Sequence, residues 1–220
     1  MTSRTTPLGL GVLASGRGSN LQAILEACAR PGFPARVVAV VSDRERAQAL
    51  DRARATGVPA RFVNPKDFPD REAYDLALVR ELQARGVGLV CLAGFMRILT
   101  SGFVRAYAGR ILNVHPSLLP AFPGLAAQRQ ALEYGVKVAG ATVHFVDEGV
   151  DTGPVVLQSS VPVHPDDTEE SLSARILAEE HRLYPDAIRL FAEGKLVIAG
   201  RRVVVRAAGR PGAAASEASL

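Results

Sequence analysis

The chain has 220 residues, of which 48% are hydrophobic and 22% charged, and its formal net charge is +4. This length is enough for one large domain or two small ones, and the composition is ordinary for a soluble globular protein. No apolar run approaches the ~20 residues that span a bilayer, and the N-terminus lacks the apolar segment of a signal peptide. The basic residues are dispersed, Trp is absent and no basic stripe alternates with aromatic residues. We therefore expect neither a nucleic-acid nor a membrane partner.

The chain contains two cysteines, Cys28 and Cys91, and four histidines. They form neither a disulfide framework nor the ligand spacing of a metal site, so we expect no metal and a reducing, cytoplasmic location. Cys91 lies within a predicted strand, which favours a buried core thiol over a nucleophile. The modest positive charge suits anionic small molecules.

The first predicted elements are a buried strand over residues 8–14 and a helix over 21–30, joined by Ser15-Gly16-Arg17-Gly18-Ser19-Asn20. A strand, a glycine-rich turn and a helix start are typical of a phosphate cradle, because the helix N–H groups point at the anion. The turn is not a dinucleotide fingerprint, since Leu21 stands at the third glycine position, and no Gly-Lys-Ser/Thr of a Walker loop follows. A plain tight turn with Ser19 as the helix N-cap remains an alternative.

The next segments alternate between strand and helix. Strands are predicted over residues 36–41, 59–63 and 87–93, and helices over 45–56 and 70–85. The second helix has apolar positions at Ala73, Leu76, Ala77 and Val79. This β-α-β-α-β-α-β order predicts an α/β fold with a doubly wound, mostly parallel sheet. Ligands bind such sheets at the carboxyl ends of the strands.

The segment Gly94-Phe95-Met96-Arg97-Ile98-Leu99 directly follows the fourth predicted strand. Large apolar side chains that bracket one arginine predict the wall of an apolar pocket with a cation at its rim. A short turn that covers the core is equally compatible with these residues.

The central strand is predicted over Ile111-Leu112-Asn113-Val114-His115, where an apolar run ends at Pro116. The spacing of Asn113 and His115 puts their side chains on one face of an extended chain. A strand end that turns polar where a loop begins is where open α/β sheets place their chemistry. The alternative is a turn-forming asparagine and a core histidine.

The remaining chain predicts helices over residues 101–107, 125–134 and 168–191, extended runs over 138–146 and 154–163, and a hairpin over 196–205. An acidic turn with two glycines lies between the extended runs, which we expect to add antiparallel strands at one edge of the sheet. We predict a flexible N-terminus over 1–7, a single domain over 8–208 and a disordered tail over 209–220.

Four stretches follow one another between residues 8 and 191: Ser15-Gly16-x-Gly18-Ser19-Asn20-Leu21-Gln22, the segment 92–99, the segment 112–120, and 140–146 continuing to Val150-Asp151-x-Gly153-Pro154. In these residues the sequence resembles the phosphoribosylglycinamide formyltransferases, folate-dependent enzymes of purine synthesis. One stretch alone would be a weak match, but four in family order are specific. The resemblance implies a Rossmann-like domain that transfers formyl from 10-formyltetrahydrofolate to the amine of glycinamide ribonucleotide.

The resemblance also implies that Asn113, His115 and Asp151 are catalytic. Attack of an amine on a formyl carbon creates an oxyanion, for which Asn113 and His115 offer hydrogen-bond donors. Asp151 can hold His115 in its protonated form and can take the amine proton directly or through water. The three lysines lie outside the matching stretches and Ser117 lacks a nucleophile-elbow context, so we expect direct transfer without a covalent enzyme intermediate.

By the same resemblance, Gly18, Ser19, Asn20 and Glu180 bind the phosphate and ribose of the substrate, and the N-terminal half of the domain is the phosphate-binding half. The C-terminal half is the folate-binding half, in which His144 orients the acidic turn. Arg71, from the N-terminal half, contacts the glutamate tail of the folate. The residues implied in folate binding are Arg71, Met96, Arg97, Ile98, Leu99, Asn113, Val146, Asp147, Glu148, Gly149, Val150 and Asp151.

Two positions depart from the family pattern. Arg17 occupies a position in the phosphate turn that is often asparagine, and it can add a cation near the phosphate. Ala126 stands where many relatives carry histidine, which leaves His115 as the only imidazole that we expect to be catalytic.

Two related enzymes and one non-enzymatic function remain as alternatives. Formyltetrahydrofolate deformylases and methionyl-tRNA formyltransferases share this core and its Asn, His and Asp. The former normally carry a regulatory domain before the first strand and the latter an RNA-binding domain after the core, whereas here the first strand starts by Leu8 and a hairpin and tail follow Phe191. We therefore expect the glycinamide enzyme, as a monomer or homodimer. A silent folate- or nucleotide-binding module is less compatible with the three retained catalytic residues.

Overall fold

The computed structural model describes residues 6–206. The predicted tail over 209–220 and the last two residues of the predicted domain lie outside this range, as does most of the predicted N-terminal segment. None of the helices between residues 6 and 206 combines the length and the apolar character that a membrane span requires.

The described chain alternates strands with helices in its first half and then adds a long hairpin, a long helix and a short hairpin. The strands are β1 (Leu8–Leu13), β2 (Ala35–Ser42), β3 (Ala60–Phe62), β4 (Leu89–Leu92), β5 (Ile111–His115), β6 (Val138–Phe145), β7 (Val155–Pro162), β8 (Leu196–Ala199) and β9 (Arg202–Val205). The helices are α1 (Ser19–Cys28), α2 (Gln48–Ala55), α3 (Arg71–Ala84), α4 (Ser101–Ala106), α5 (Ala127–Tyr134) and α6 (Glu169–Ala192), with a short 3₁₀ turn over Pro65–Asp67.

All of these strands belong to one sheet in the order β3-β2-β1-β4-β5-β6-β7-β9-β8. Strands β1 to β5 pair in parallel, whereas β6 pairs antiparallel with both β5 and β7. The prediction of a doubly wound, mostly parallel sheet with antiparallel strands at one edge is confirmed. The strand order reverses between β1 and β4, and this reversal opens the crevice in which such sheets bind ligands.

Helices cover both faces of the sheet, as its nearly continuous apolar strands require. Helices α1, α2, α5 and α6 pack on one face, and α3 and α4 pack on the other. Helix α6 begins directly after Thr168, the N-cap residue, which forms a reciprocal capping box with Ser171. Its buried Tyr184 hydroxyl lies 2.9 Å from the carbonyl oxygen of Leu92 and 2.8 Å from that of Leu112, which ties α6 to β4 and β5.

The start of α1 differs from the prediction. The helix begins at Ser19 rather than at residue 21, and Ser19 does not cap it. Gly18 occupies the N-cap position with a φ of 71°, and no side chain accepts a hydrogen bond there. The first-turn N–H groups of α1 therefore have no side-chain cap, which favours the anion cradle over a capped tight turn.

Candidate active site

The end of β5 and the turn after β6 bring Asn113, His115 and Asp151 together. Nδ2 of Asn113 lies 3.4 Å from Oδ1 of Asp151, and Nδ1 of His115 lies 3.4 Å from Oδ2 of the same carboxylate. In the sheet, Asn113 is in register with Leu92 on β4 and with His144 on β6. Strand β5 pairs in parallel with β4 and antiparallel with β6. The three side chains therefore converge at a carboxyl strand end, as expected.

Asp151 lies on a turn, its own φ is 54°, and backbone and side-chain contacts hold it in place. Its Oδ2 accepts a hydrogen bond of 2.8 Å from the Gly124 N–H group. Burial raises the pKa of Asp151, but the hydrogen-bond donors beside the carboxylate, among them the Gly124 N–H, outweigh it, so the net pKa lies below its ordinary value. Asp147 braces the turn by accepting hydrogen bonds from the Gly149 N–H at 3.1 Å and the Thr152 hydroxyl at 2.6 Å. The result is an ionised carboxylate on a fixed turn.

His115 is buried, and both of its ring nitrogens face oxygen acceptors. Nε2 lies 2.8 Å from the Phe122 carbonyl oxygen, which assigns the proton of the neutral ring to Nε2. Burial lowers the pKa of His115 below its ordinary value, although the Phe122 carbonyl and the Asp151 carboxylate oppose the shift. Asp151 thus favours the protonated form of His115, as expected, but desolvation of the imidazolium opposes it and decides the net direction of the shift.

His144 lies directly behind the amide of Asn113. Its Nδ1 is 2.8 Å from the Phe145 carbonyl oxygen, and its Nε2 is 3.2 Å from Nδ2 of Asn113. With the proton assigned to Nδ1, Nε2 accepts from Asn113 and fixes which end of the amide faces Asp151. This contact was not predicted, because its signal is the cross-strand register of two residues that are far apart in sequence.

The phosphate turn and α6 meet through one buried hydrogen bond. Nδ2 of Asn20 donates to Oε2 of Glu180 at 2.7 Å, although 160 positions separate the two residues. Burial raises the pKa of Glu180 to about 7, and the bond from Asn20 only partly offsets it. The other side-chain atom of Asn20, Oδ1, is buried without a hydrogen-bond partner. Nδ2 of Asn20 carries a second N–H group, so the expected role of Asn20 in binding the substrate phosphate stays a prediction.

The segment after β4 divides into exposed and buried side chains. Met96 and Ile98 are 59% and 60% exposed, whereas Leu99 is buried in the core cluster beneath α3 and α4. Arg97 stacks over the Tyr74 ring, with its guanidinium carbon 5.0 Å from the ring centroid. The segment thus presents two exposed apolar side chains and one cation, and its role as the wall of an apolar pocket stays a prediction.

Helix α3 holds this segment in place. Nη2 of Arg71 donates to the Ile98 carbonyl oxygen at 2.8 Å, and the buried carboxylate of Asp75 accepts from the Thr100 N–H at 2.6 Å. Burial raises the pKa of Asp75, and the bonds from Thr100 oppose this shift. Asp75 was missed because the predicted apolar face of the helix was partly wrong: Leu76 is 50% exposed, and the buried stripe runs through Tyr74, Asp75 and Leu78.

The acidic turn after β6 covers residues 146–151 and also contains apolar side chains. Val146 packs against the core cluster that contains Leu99, and Val150 is exposed. Glu148 pairs with Arg105 of α4 at 3.4 Å across the surface. These positions fix no ligand contact, so the folate-binding role of the turn stays a prediction. In residues 6–206 no group of three or more His, Cys, Asp or Glu side chains has the arrangement of a metal site.

Comparison with known proteins agrees with this geometry. Residues 10–188 match the family model described as Formyl transferase. Phosphoribosylglycinamide formyltransferase of Escherichia coli is 48% identical over 189 residues, which cover 86% of this chain and 89% of that protein. The trifunctional purine biosynthetic protein adenosine-3 of Drosophila melanogaster is 50% identical over 191 residues, which cover 86% of this chain but only 14% of that longer protein.

A solved structure extends the comparison to the fold. The crystal structure of glycinamide ribonucleotide transformylase 1 from Symbiobacterium toebii has a TM-score of 0.91 and 59% identity, and the match covers 93% of this chain and 97% of that one. The chain therefore belongs to the formyl transferase family, and within it to the phosphoribosylglycinamide formyltransferases.

Proposed function

We propose that this protein transfers the formyl group of 10-formyltetrahydrofolate to the amine of glycinamide ribonucleotide, a step of de novo purine synthesis. The observation that carries the proposal is the convergence of an amide, an imidazole and a carboxylate, Asn113, His115 and Asp151, at the end of β5. The E. coli relative named for this activity supports it, since the match spans most of both chains.

In the proposed reaction the substrate amine attacks the formyl carbon, and the carbonyl oxygen becomes an oxyanion. Nδ2 of Asn113 is a neutral donor for that oxygen. His115 becomes a second donor when its Nε2–H exchanges the Phe122 carbonyl for the oxyanion. Removing one such donor typically lowers the rate by about 10² to 10³.

Asp151 is the proposed proton acceptor. The lowered pKa of its carboxyl group keeps it ionised near neutral pH, so it can take the proton that the attacking amine releases. The proton then passes to N10 of the folate, directly or through water, as the bond between that nitrogen and the formyl carbon breaks. The products are formyl-glycinamide ribonucleotide and tetrahydrofolate, and no enzyme atom is covalently modified.

The apolar rim supports folate binding. Met96, Ile98 and Val150 expose large side chains that a flat aromatic ring system would cover. We propose that the backbone of residues 97–99 reads the edge of the ring and that the turn 146–151 forms the folate-binding loop. Arg71 uses one N–H on Ile98 and retains others for the glutamate tail.

The phosphate turn supports binding of the ribonucleotide. We propose that the backbone N–H groups of Gly18, Ser19 and Asn20 hold the phosphate at the start of α1, with Arg17 as an added cation. Glu180 would accept a hydrogen bond from a ribose hydroxyl. The proposed single domain over 8–208 is then divided between a phosphate-binding N-terminal half and a folate-binding C-terminal half. A cytoplasmic monomer or homodimer without metal, nucleic-acid or membrane partners completes the proposal.

One assay separates the alternatives. Purified full-length protein is mixed with 10-formyltetrahydrofolate, and the release of tetrahydrofolate is followed by absorbance with and without glycinamide ribonucleotide. Turnover that requires the ribonucleotide supports the proposal. Equal turnover without it identifies a deformylase, transfer to methionyl-tRNA identifies the tRNA enzyme, and no turnover under any condition identifies a binding module.

A further inference from the structure

Helix α2 forms the floor of the phosphate turn. The Gly16 carbonyl accepts a hydrogen bond of 3.1 Å from the Ala49 N–H, and the Arg17 carbonyl accepts one of 2.9 Å from Nε of Arg52. Gly18 packs so closely on α2 that an added Cβ would lie 2.7 Å from the Ala49 Cα. The carbonyl groups of two consecutive residues, Gly16 and Arg17, therefore both accept hydrogen bonds from α2.

This arrangement fixes where the N–H groups of the turn point. In a planar trans peptide, the C=O of one residue and the N–H of the next point in opposite directions. Because the Gly16 and Arg17 carbonyls face α2, the Arg17 and Gly18 N–H groups face away from it. Within residues 6–206 neither N–H group has a hydrogen-bond partner, so both remain available to an anion.

Arg52 also connects the turn to α1. Its Nη1 donates to Oε1 of Gln22 at 3.2 Å, while its Nε holds the Arg17 carbonyl. Together with Ser19 and Gln22, Arg52 lines a polar cavity of about 690 Å³ between α1 and α6. A permanent positive charge therefore lies at the turn, in addition to the start of α1.

We propose that Arg52 is a positioning residue for the substrate phosphate: it holds the Arg17 carbonyl away from the anion and so keeps the N–H groups of the turn directed at it. The inference rests on the proposed function, because the turn is taken to bind the phosphate of glycinamide ribonucleotide. It predicts that Arg52 sets affinity for phosphorylated substrate without a part in the chemical step.

The test compares Arg52→Ala with Arg54→Ala, an exposed arginine on the same helix whose guanidinium pairs with Asp51 at 2.9 Å. For Arg52→Ala we expect the KM for glycinamide ribonucleotide to rise about tenfold or more, with kcat and the KM for the folate within about threefold of wild type. Arg52→Lys should recover part of the loss, since lysine retains the charge and one donor but not the two-point bridge. Arg54→Ala should match wild type.

Direct binding of inorganic phosphate, measured by titration calorimetry, separates this inference from the proposed function. Weaker phosphate binding by Arg52→Ala but not by Arg54→Ala supports the positioning role even if the enzyme assay fails. A persistent difference between wild type and Arg52→Ala at high salt supports hydrogen bonding over long-range attraction, which salt screens. Unchanged phosphate affinity and unchanged KM in a folded Arg52→Ala protein, or in Arg52→Gln if the alanine variant does not fold, would overturn the inference.

Discussion

Nδ1 of His115 and Oδ2 of Asp151 face each other across 3.4 Å in a buried setting, where Asp151 also accepts the Gly124 N–H at 2.8 Å. The carboxylate accepts hydrogen bonds from the Gly124 N–H group and from Nδ2 of Asn113, and the rings of His115 and His144 lie beside it. Its position is therefore set by the protein before any substrate arrives, which is how electrostatic catalysis avoids reorganisation during the reaction.

Replacing Asp151 with asparagine should lower kcat by about 10² to 10⁴, the range for loss of a general base. The amide has nearly the same shape and can still accept the Gly124 N–H, so the turn should keep its conformation. The KM for the folate should stay within a few-fold of wild type. Steady-state kinetics with both substrates varied gives the two values separately.

The matched control is Asp166→Asn, which removes a carboxylate from the exposed loop before α6. It should leave kcat and both KM values unchanged. If Asp151→Asn retains the kcat of the wild type, Asp151 has no role in the reaction and the mechanism must be assigned to other residues.

Replacing Asn113 with alanine should lower kcat by about 10² or more, because one preorganised donor to the oxyanion is lost. The contact of 3.2 Å between Nδ2 of Asn113 and Nε2 of His144 predicts a second effect. A buried ring nitrogen is left without its partner, which typically costs about 1–3 kcal/mol of stability. Kinetics and denaturant unfolding measure the two losses independently, and a change in KM alone would make Asn113 a binding residue only.

Glu180 should make stability depend on pH. Burial raises its pKa from 4.5 to about 7. A group whose pKa is raised by folding contributes stability that is fully present below its unfolded pKa and is lost as pH rises through the folded value. The ionised glutamate therefore costs about 3 kcal/mol at pH 8. Glu180→Gln should raise the free energy of unfolding at pH 8 and have little effect near pH 5, as chemical denaturation at both pH values would reveal.

The neighbouring Glu179 provides a control, because its pKa is shifted in the opposite direction. Hydrogen bonds from the Ser159 hydroxyl and from Arg182 lower the pKa of Glu179. Its contribution is present above the unfolded pKa of 4.5 and is lost as pH falls. Glu179→Gln should therefore reduce stability at pH 8. An equal response of the two variants would contradict the assignment of burial as the cause at Glu180.

Most of the fold could be predicted from the sequence because each element carries a local signal. Alternating apolar runs and amphipathic segments identify the strands and helices, and the β-α-β order identifies the parallel half of the sheet. The start of α1 could not be predicted to the residue. It depends on the φ of 71° at Gly18 and on the close packing of that glycine on Ala49, and both favour a residue without a Cβ.

The site was predictable only in part. The i, i+2 spacing of Asn113 and His115 places both side chains on one strand face. That Asp151 belongs with them was predicted only from the family resemblance. Contacts such as Asn20 with Glu180 and Arg52 with the Arg17 carbonyl depend on how helices pack. No local sequence pattern encodes that packing. From the sequence alone, a buried acidic residue on a helix cannot be distinguished from an exposed one.

Asp75 illustrates this and yields the last prediction. Its buried carboxylate accepts the Thr100 N–H at 2.6 Å, which fixes the end of the segment that forms the proposed folate rim. Asp75→Ala leaves that N–H buried without an acceptor, at a cost of about 1–3 kcal/mol. We expect the KM for 10-formyltetrahydrofolate to rise several-fold while the KM for glycinamide ribonucleotide changes little.

Asp75→Asn should behave nearly as wild type, because the amide oxygen can still accept the Thr100 N–H. Glu72→Gln, an exposed change on the same helix, controls for loss of an acid from α3. Kinetics with each substrate at saturation, together with melting temperatures, distinguish a local effect on the rim from general destabilisation. Equal changes in the two KM values would show that Asp75 supports the domain as a whole, whereas a change confined to the folate assigns it to the rim, since Thr100 lies one residue beyond Leu99.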